Sequence, residues 1–312
     1  MCIKTGYIFG KLNFSIDKKL QDMSRYFLQR TLSKRICVSG TGVHSGKQTH
    51  LTLNPAPENH GIKFRRIDLP GTQDIQALFK RVVDTSLATV LGTNGAIVST
   101  IEHLMACFAG LEIDNALVEV DDYEIPIMDG SAKVFTQMIQ DAGIVEQSAP
   151  KHFLIVKKPI KVTDNDKSVI VYPESCFKIT CRIHFDHPLI GEQKIIFDRA
   201  KNNFEKEISY ARTFGFVQDI ELLKKFSLGK GGSLDNAIIL DKNKILNKEG
   251  LRYPDEFVRH KLLDSLGDFS LLGMPIRGHI VTNKSGHTLN HLFIEKFLEN
   301  KDAWETGPEK FK

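Results

Sequence analysis

The chain has 312 residues, of which 41% are hydrophobic and 26% are charged, and its formal net charge is +4. This length allows two domains with cores of their own. Acidic and basic residues are interspersed, so the charge favours an anionic ligand but gives no basic stripe of the kind that binds nucleic acid. No stretch approaches the roughly 18 apolar residues needed to cross a bilayer, so we predict no membrane-spanning segment.

The first 28 residues are predicted to form an unstructured or loosely packed leader. Lys11 interrupts the candidate apolar segment, and lysines follow at positions 18 and 19, so the leader is no signal peptide. Met23 is an alternative start. Scattered cysteines without C-x-x-C spacing indicate reduced thiols and a cytoplasmic protein. These cysteines are Cys2, Cys37, Cys107, Cys176 and Cys181.

Residues 29–147 are predicted to form an N-terminal domain of short strands and two helices. The predicted strands include residues 50–53 and 116–120, and the predicted helices cover residues 99–109 and 131–142. Gly110 and Gly143 are typical of the residues that end such helices. The polar stretch 146–151 contains a proline where the pattern changes, so we predict the linker there.

Residues 148–312 are predicted to form a C-terminal domain. Its predicted strands cover residues 153–162, 168–172, 177–185 and 278–282, and its long amphipathic helix covers residues 255–272. Strands and helices that do not alternate strictly favour an α+β fold. The glycine-rich run 228–233 is not a phosphate-binding Walker loop, because no Gly-Lys-Ser/Thr follows in the required place.

The 255–272 helix carries three polar side chains at a spacing of four residues, namely His260, Asp264 and Asp268. At 3.6 residues per turn they form one stripe. A histidine and an aspartate one turn apart can both bind a metal ion. A solvated helix face has the same spacing, so this pattern alone does not distinguish a metal site from a polar surface.

Glu102 and His103 stand near the start of the first predicted helix. Ser99-Thr-Ile-Glu102 matches a capping box, in which Glu102 only reaches back to the backbone of Ser99. In the alternative, His103 binds a metal ion and Glu102 accepts a proton from water on that metal. Small residues on the same face as His103 would let another element approach closely; they are Ala106, Cys107 and Gly110.

Two further segments carry polar groups in distinctive settings. Lys284-Ser-Gly-His287 forms a predicted turn after a strand, and Ala211-Arg-Thr-Phe-Gly215 places a cation and a hydroxyl among apolar residues. Most histidines in such turns are solvated. Neither segment identifies a function by itself.

Taken together, these segments resemble the UDP-3-O-acyl-N-acetylglucosamine deacetylase (LpxC) family from about residue 29 onward. The motifs that carry the resemblance are Ser39-Gly-Thr-Gly-Val-His-Ser-Gly46, Ser99-Thr-Ile-Glu-His103, Glu124-Ile-Pro-Ile-Met-Asp-Gly-Ser131, Ser209-Tyr-Ala-Arg-Thr-Phe-Gly-Phe216, Asp255-Glu-Phe-Val-Arg-His-Lys261 and Lys284-Ser-Gly-His287. So many long matches in the same order make the resemblance specific. It implies an α+β fold of two similarly built domains, each a β-sheet packed with helices, with the active site at their junction.

The resemblance also implies one catalytic Zn²⁺ ion, held by His103, His260 and Asp264. Three protein ligands leave a position for water, which is the arrangement of catalytic zinc sites. The implied reaction removes the N-acetyl group of UDP-3-O-acyl-N-acetylglucosamine and gives UDP-3-O-acyl-glucosamine and acetate. This is the committed step of lipid A biosynthesis.

Four further residues match catalytic positions of the family. The resemblance implies that Glu102 is the general base, that His287 is the general acid and that Asp268 orients His287. It implies that the hydroxyl of Thr213 stabilises the oxyanion. These roles suit amide hydrolysis, which needs attack by hydroxide, a stabilised oxyanion and protonation of the departing amine.

Substrate binding is also implied by the resemblance. Lysines flanking the ligands suit an anionic UDP-sugar, and an aromatic residue matches the family's uridine-stacking position. Residues 214–240 resemble a βαβ insert that forms a passage for the acyl chain, in which the small residues 231–233 are expected to leave an opening. The implied substrate-binding residues are Lys261, Lys284, Phe185, Phe214, Ile220, Gly232 and Ser233.

Other functions fit parts of the pattern. A zinc amidohydrolase that acts on another acylated sugar or on a peptide would need the same chemical groups. A non-catalytic protein that binds a UDP-sugar or a lipid could keep the fold, although the intact Glu102 and His287 argue against it. We expect a monomer that acts on a small-molecule substrate and binds no nucleic acid.

Overall fold

The computed structural model describes residues 27–308, so the predicted leader up to residue 26 lies outside the described residues. The first strands are β1 (Leu28–Leu32), β2 (Ile36–Thr41), β3 (Gln48–Pro55), β4 (Ile62–Arg66), β5 (Ile75–Gln76), β6 (Val82–Asp84), β7 (Val90–Thr93), β8 (Ala96–Val98), β9 (Ala116–Val120) and β10 (Ile144–Pro150). Strands β2-β3-β9-β4-β5 form one sheet and β6-β7-β8 form another. In the central strand β9, Ala116, Val118 and Val120 alternate into the core.

The first two helices, α1 (Glu102–Leu111) and α2 (Lys133–Ala142), follow these sheets. Helix α2 ends before Gly143, which has a φ of 74°, as the sequence predicted. Helix α1 continues past Gly110 and ends at Leu111, so the prediction that Gly110 ends it is wrong. Gly110 lies against the ring of Phe204, and a side chain there would collide with this ring.

Of the two alternatives for Glu102, the capping box at the start of α1 does not form. Ser99 belongs to a β-bridge: its N–H donates to the carbonyl of Tyr123, and its own carbonyl accepts from Ile125. Thr100 has a φ of 59°, which turns the chain before α1 begins at Glu102. This alternative is wrong because the bridge holds Ser99 outside the helix, which leaves the Glu102 side chain for other partners.

The predicted linker is a strand. Residues 144–150 form β10, which pairs antiparallel with β1 in a two-stranded sheet. The proline that suggested a break, Pro150, is the last residue of β10, where a missing N–H disturbs the pairing least.

The second half of the chain provides the strands β11 (His152–Val156), β12 (Ile160–Asp164), β13 (Lys167–Tyr172), β14 (Phe177–Phe185), β15 (Gly191–Asp198), β16 (Phe214–Phe216), β17 (Ile238–Asp241), β18 (Lys244–Ile245), β19 (Ile276–Asn283) and β20 (Trp304–Pro308). Its helices are α3 (Phe204–Glu207), α4 (Val217–Lys225), α5 (Glu256–Ser270) and α6 (His287–Glu299). The predicted strand 153–162 is two strands, β11 and β12. The break falls at Lys157 and Lys158, whose N–H groups both donate to the carbonyl of Ala303.

A seven-stranded sheet forms the body of this half. Its order is β12-β13-β19-β11-β20, with β14 paired to β19 and β15 paired to β14. Strand β19 is central, since it pairs with β11, β13 and β14. The molecule therefore has an α+β architecture in which each half is a sheet packed with helices.

The segment predicted to be a βαβ insert forms a small sheet of its own. Strands β16 and β17 pair in parallel and α4 connects them, while β18 adds an antiparallel edge. Residues 231–233 were expected to leave an opening, but Gly231 does not leave one, because its N–H donates to the carbonyl of Val43. A side chain on Gly231 would lie 2.2 Å from the carbonyl oxygen of Gly42. Glycine is needed here because the backbone of the N-terminal half approaches closely.

The two halves meet where α1 packs against α5, and one continuous hydrophobic cluster crosses this junction. Gly267 of α5 allows the close approach, because a side-chain carbon there would lie 2.1 Å from the carbonyl oxygen of Glu102. Among residues 27–308, no helix is long and apolar enough to cross a membrane. The four cysteines in that range are free thiols.

Candidate active site

A cavity of about 450 Å³ opens where the start of α1, the middle of α5, the start of α6 and the chain before β16 come together. Most of the side chains singled out in the sequence line this cavity. They are Glu102, His103, Thr213, Phe214, His260, Lys261, Asp264 and His287. The cavity therefore draws its polar groups from both halves of the molecule.

Three buried side chains in the cavity form a cluster of metal-binding types. Nitrogen atoms of His103 and His260 and an oxygen of Asp264 all lie within 4.8 Å of one another. Oδ1 of Asp264 is 3.6 Å from Nε2 of His103 and 3.3 Å from Nε2 of His260. Ligand atoms around a tetrahedral zinc ion lie about 3.3 to 3.4 Å apart, given zinc–nitrogen distances of about 2.0 to 2.1 Å. The spacing of this cluster fits zinc.

Hydrogen bonding supports the same fit at His260. A carbonyl oxygen can only accept, so Nδ1–H of His260 donates to the carbonyl of Ala211 at 3.1 Å. Burial lowers the pKa of His260 to about 3, so the ring is neutral and Nε2 presents a lone pair towards the oxygen of Asp264. Two such electron-rich atoms 3.3 Å apart suit a cation between them.

Asp264 is an ionised carboxylate in this cluster. Burial by itself raises its pKa, but the ammonium group of Lys261 outweighs burial and holds the pKa well below the ordinary value. Nζ of Lys261 lies 2.7 Å from Oδ2 of Asp264. The two carboxylate oxygens are thus divided, one towards Lys261 and the other towards the histidines.

Glu102 lies beside this cluster with one oxygen held and the other facing the cavity. Its Oε2 accepts a hydrogen bond from the backbone N–H of Thr89 at 3.1 Å, and its Oε1 is 3.9 Å from Nε2 of His287. Burial raises the pKa of Glu102 above its ordinary value, although the charge of His287 opposes the shift. A carboxylate in this setting can exchange a proton with a group in the cavity.

His287 contacts Glu102 through one ring nitrogen and Asp268 through the other. Nδ1 of His287 is 2.8 Å from Oδ2 of Asp268, which also accepts from Nδ2 of Asn290 at 2.8 Å. Burial lowers the pKa of His287, but Asp268 and Glu102 outweigh burial and raise it to about 10. The imidazole is therefore protonated near neutral pH and can donate a proton from Nε2.

Thr213 is fixed at the cavity wall by backbone hydrogen bonds. Its N–H donates to Gly130 at 2.7 Å, and its carbonyl accepts from Ile238 at 2.8 Å. The preceding residue, Arg212, is buried and its guanidinium donates to the buried carboxylate of Glu256 at 2.9 Å. This ion pair ties the Thr213 segment to the first turn of α5.

The predicted substrate-binding residues divide into two groups. Phe214 and Lys261 line the cavity. Phe185 does not line it but contacts Phe214, with ring centroids 5.4 Å apart. Lys284 pairs with Asp166 at 2.7 Å and is not part of the lining.

The insert residues lie away from the lining as well. Ile220 is half-buried in α4, and Gly232 packs near Gly229 and Val43. Ser233 is exposed, and its N–H donates to the side chain of Asn236. None of the three lines the cavity.

Sequence reasoning missed several cavity residues. Lys167, the first residue of β13, places a second cation in the lining, and Leu87 and Leu292 provide apolar surface. A single lysine or leucine carries no pattern in the sequence. These positions follow only from the fold, which brings the start of β13 and the segment before β7 to the same cavity.

Fold and site together define a class of protein: an α+β protein of two sheet-and-helix halves, with a buried acid–base pair and a cluster of metal-binding side chains at their junction. Residues 29–299 match the family described as UDP-3-O-acyl N-acetylglycosamine deacetylase, LpxC. The chain belongs to this family. The matched residues include the whole lining of the cavity.

Individual relatives resemble the chain over most of its length. A UDP-3-O-acyl-N-acetylglucosamine deacetylase of Myxococcus xanthus (strain DK1622) is 51% identical over 282 residues, which are 90% of each chain. The protein of that name from Teredinibacter turnerae (strain ATCC 39867 / T7901) is 50% identical over 279 residues, 89% of this chain and 92% of the relative. One from Syntrophus aciditrophicus (strain SB) is 45% identical over 281 residues, 90% of this chain and 89% of the relative.

Proposed function

We propose that this protein is a zinc-dependent deacetylase that hydrolyses the acetamide group of UDP-3-O-acyl-N-acetylglucosamine in lipid A biosynthesis. The observation that carries the proposal is the cluster of His103, His260 and Asp264 beside Glu102 and His287 on one cavity. Relatives named for this deacetylase activity, about half identical over nine tenths of the chain, support the substrate. The products are UDP-3-O-acyl-glucosamine and acetate.

Zinc fits the cluster by donor type, spacing and burial, and His103, His260 and Asp264 would hold it. When bound, zinc acts as a Lewis acid that polarises a carbonyl and lowers the pKa of a water molecule towards about 7. The protein must supply the remaining chemistry, which is proton transfer and stabilisation of the oxyanion.

Proton transfer is assigned to Glu102 and His287. Glu102, with Oε1 directed to the cavity, accepts the proton of the attacking water. His287 is protonated at neutral pH, because Asp268 raises its pKa, and it donates to the departing amine. The two groups lie 3.9 Å apart, so both reach a substrate amide in the same part of the cavity.

Stabilisation of the oxyanion that forms on the acetyl carbonyl is assigned to Thr213. Its backbone is anchored at both the N–H and the carbonyl, which fixes the residue that carries the hydroxyl at the cavity wall. A preorganised donor of this kind stabilises developing charge without reorganisation during the reaction.

Charge and apolar surface suit the remaining parts of the substrate. Lys261 and Lys167 place cations in the lining, where they attract a diphosphate. Phe185 stacks on the uracil ring and the β16–β17 insert, starting at Phe214, holds the acyl chain. In this proposal the enzyme is a cytoplasmic monomer.

A deacetylation assay on purified zinc-loaded protein tests the proposal. Mass spectrometry should show loss of the acetyl group from UDP-3-O-acyl-N-acetylglucosamine, and a slower reaction with UDP-N-acetylglucosamine that lacks the acyl chain. Chelation should abolish turnover and added zinc should restore it. Equal rates on an acetylated peptide would favour a general amidohydrolase, and binding without turnover would favour a non-catalytic UDP-sugar protein.

A further inference from the structure

One buried residue outside the cavity lining contacts both Glu102, the proposed base, and Asp268, which holds the proposed acid His287. Thr89 lies just before β7 and is only 2% exposed. Its backbone N–H donates to Oε2 of Glu102 at 3.1 Å, and its Oγ1 lies 2.7 Å from Oδ1 of Asp268. Thr89 is thus bonded at one end to the proposed base and at the other to the carboxylate that holds the proposed acid.

The direction of the second bond follows from chemistry. A carboxylate only accepts, so the hydroxyl of Thr89 donates to Asp268. The other oxygen of Asp268 is already shared by Nδ1–H of His287 and Nδ2–H of Asn290. With one oxygen occupied by Thr89, the carboxylate has a single orientation in which Oδ2 is directed at His287.

The bonds of Thr89 also cross between the two halves of the molecule. Thr89 and Glu102 belong to the N-terminal half, whereas Asp268 and His287 belong to α5 and α6 of the C-terminal half. The distance between Glu102 and His287 therefore depends on how the halves are joined at this point. Thr89 bonds to Glu102 on one side and to Asp268 on the other.

We propose that Thr89 is a positioning residue that sets the geometry between Glu102 and His287, acting through Asp268 and through the contact of its Oγ1 with Nδ1 of His287 at 3.4 Å. This inference rests on the proposed deacetylase function. Thr89 does not touch the substrate, since it is not in the cavity lining. Its side chain acts on the turnover step, because it fixes the acid that protonates the leaving amine, and contributes little to substrate affinity.

Two substitutions isolate the hydroxyl. Thr89→Val keeps the shape and the backbone bond to Glu102 but removes the bond to Asp268, whereas Thr89→Ser keeps the hydroxyl. Thr136→Val is a matched control, because Thr136 is also 2% exposed and its hydroxyl contacts none of the residues of the acid–base pair: it donates to the carbonyl of Ala132 and lies 3.3 Å from Sγ of Cys107. Each protein is loaded with zinc, and kcat, KM, zinc content and melting temperature are measured.

We expect Thr89→Val to lower kcat roughly 10- to 100-fold, as is typical when a residue that orients a catalytic group is changed, with KM and zinc content near those of wild type. Thr89→Ser should stay within about threefold of wild-type kcat, since the hydrogen bond is retained. Thr136→Val should keep wild-type kcat even if its melting temperature falls. A wild-type kcat for Thr89→Val, or equal losses for Val and Ser, would overturn the proposal.

A second measurement separates this inference from the proposed function. The Nδ1–H proton of His287, assigned by its absence from the His287→Ala spectrum, should give a downfield NMR signal in wild type because it is bonded to Asp268. In Thr89→Val this signal should move upfield or exchange faster, and in Thr89→Ser it should remain. An unchanged signal in Thr89→Val overturns the positioning role even if the deacetylase activity is shown. A changed signal supports that role even if the substrate proves to be a different amide.

Discussion

The packing of α1 against α5 gives the sharpest test of the site geometry, through the substitution Gly267→Ala. A side-chain carbon at position 267 would lie 2.1 Å from the carbonyl oxygen of Glu102, whereas ordinary contact begins at 3.4 Å. Relief requires the helices to separate by about 1.3 Å, the difference between these distances. The obstacle is backbone, so no side-chain rotation removes it.

The thermodynamic effect is the balance of two terms. Overpacking costs about 1 to 3 kcal/mol, and replacing a helical glycine by alanine returns up to about 1 kcal/mol. We therefore expect a net loss of about 1 kcal/mol and a melting temperature lower by roughly 2 to 4 °C. The geometric effect is larger, because a displacement of about 1 Å moves His103 away from Asp264 and can cost roughly 100-fold in rate.

Calorimetry, metal analysis and kinetics on Gly267→Ala test this reasoning together. Zinc content and kcat/KM should fall along with the melting temperature. Gly307→Ala is the matched control, because a side chain at Gly307 meets nothing within 4 Å. If Gly267→Ala is more stable than wild type and keeps its zinc and activity, the two helices can accommodate a side chain at this crossing, and the predicted displacement does not occur.

Five other substitutions test separate parts of the site and core. His103→Ala and His260→Ala should lower zinc content and activity together, and full zinc retention in both would refute their assignment as ligands. Glu102→Gln should keep zinc and lose most turnover, because it removes a proton acceptor and no ligand; near-normal turnover would place the base elsewhere. Since the pKa of His287 is raised to about 10, the acid stays protonated at pH 7, and activity should fall as the pH rises towards that value. The charge of bound zinc opposes protonation, so the fall should begin at a somewhat lower pH with the metal present. His287→Ala should lack this alkaline limb in a pH–rate profile, and an unchanged limb would assign the acid role to another group. Thr49→Val should raise the free energy of unfolding by about 1 kcal/mol in urea titrations, because the buried hydroxyl of Thr49 has no partner among the described residues. A loss of stability would show that this hydroxyl is bonded, for example to water.

Periodic and motif-bearing segments were predictable from the sequence. Residues 116–120 and 177–185 form strands with the predicted bounds, and the predicted helix 255–272 is present as Glu256–Ser270. The spacing of His260 and Asp264 along that helix also placed them on one face. Such features depend on neighbours close in the chain, so they are visible in the sequence itself.

Features that depend on distant backbone were not predictable. The capping box at Ser99 does not form because residues 123–125, more than twenty positions away, bond to that backbone, and residues 144–150 form a strand because β1 lies beside them. The contacts of Thr89 were not predictable from its residue type. Its bond to Glu102 is made by a backbone N–H, which every residue except proline has, and its bond to Asp268 is made by a hydroxyl that every threonine carries.

The site is divided between the halves in a way that makes its chemistry depend on their junction. Glu102 and His103 are adjacent on α1, so a base and a metal-type ligand come from one half, while Asp264 and His287 come from the other. In the proposed mechanism, neither half alone contains both the proton acceptor and the proton donor. Close backbone contact at Gly267 and the bonds of Thr89 fix the relative position of these groups. A substitution at the junction can therefore reduce turnover without touching the cavity, and such substitutions should be examined first when a folded variant is inactive.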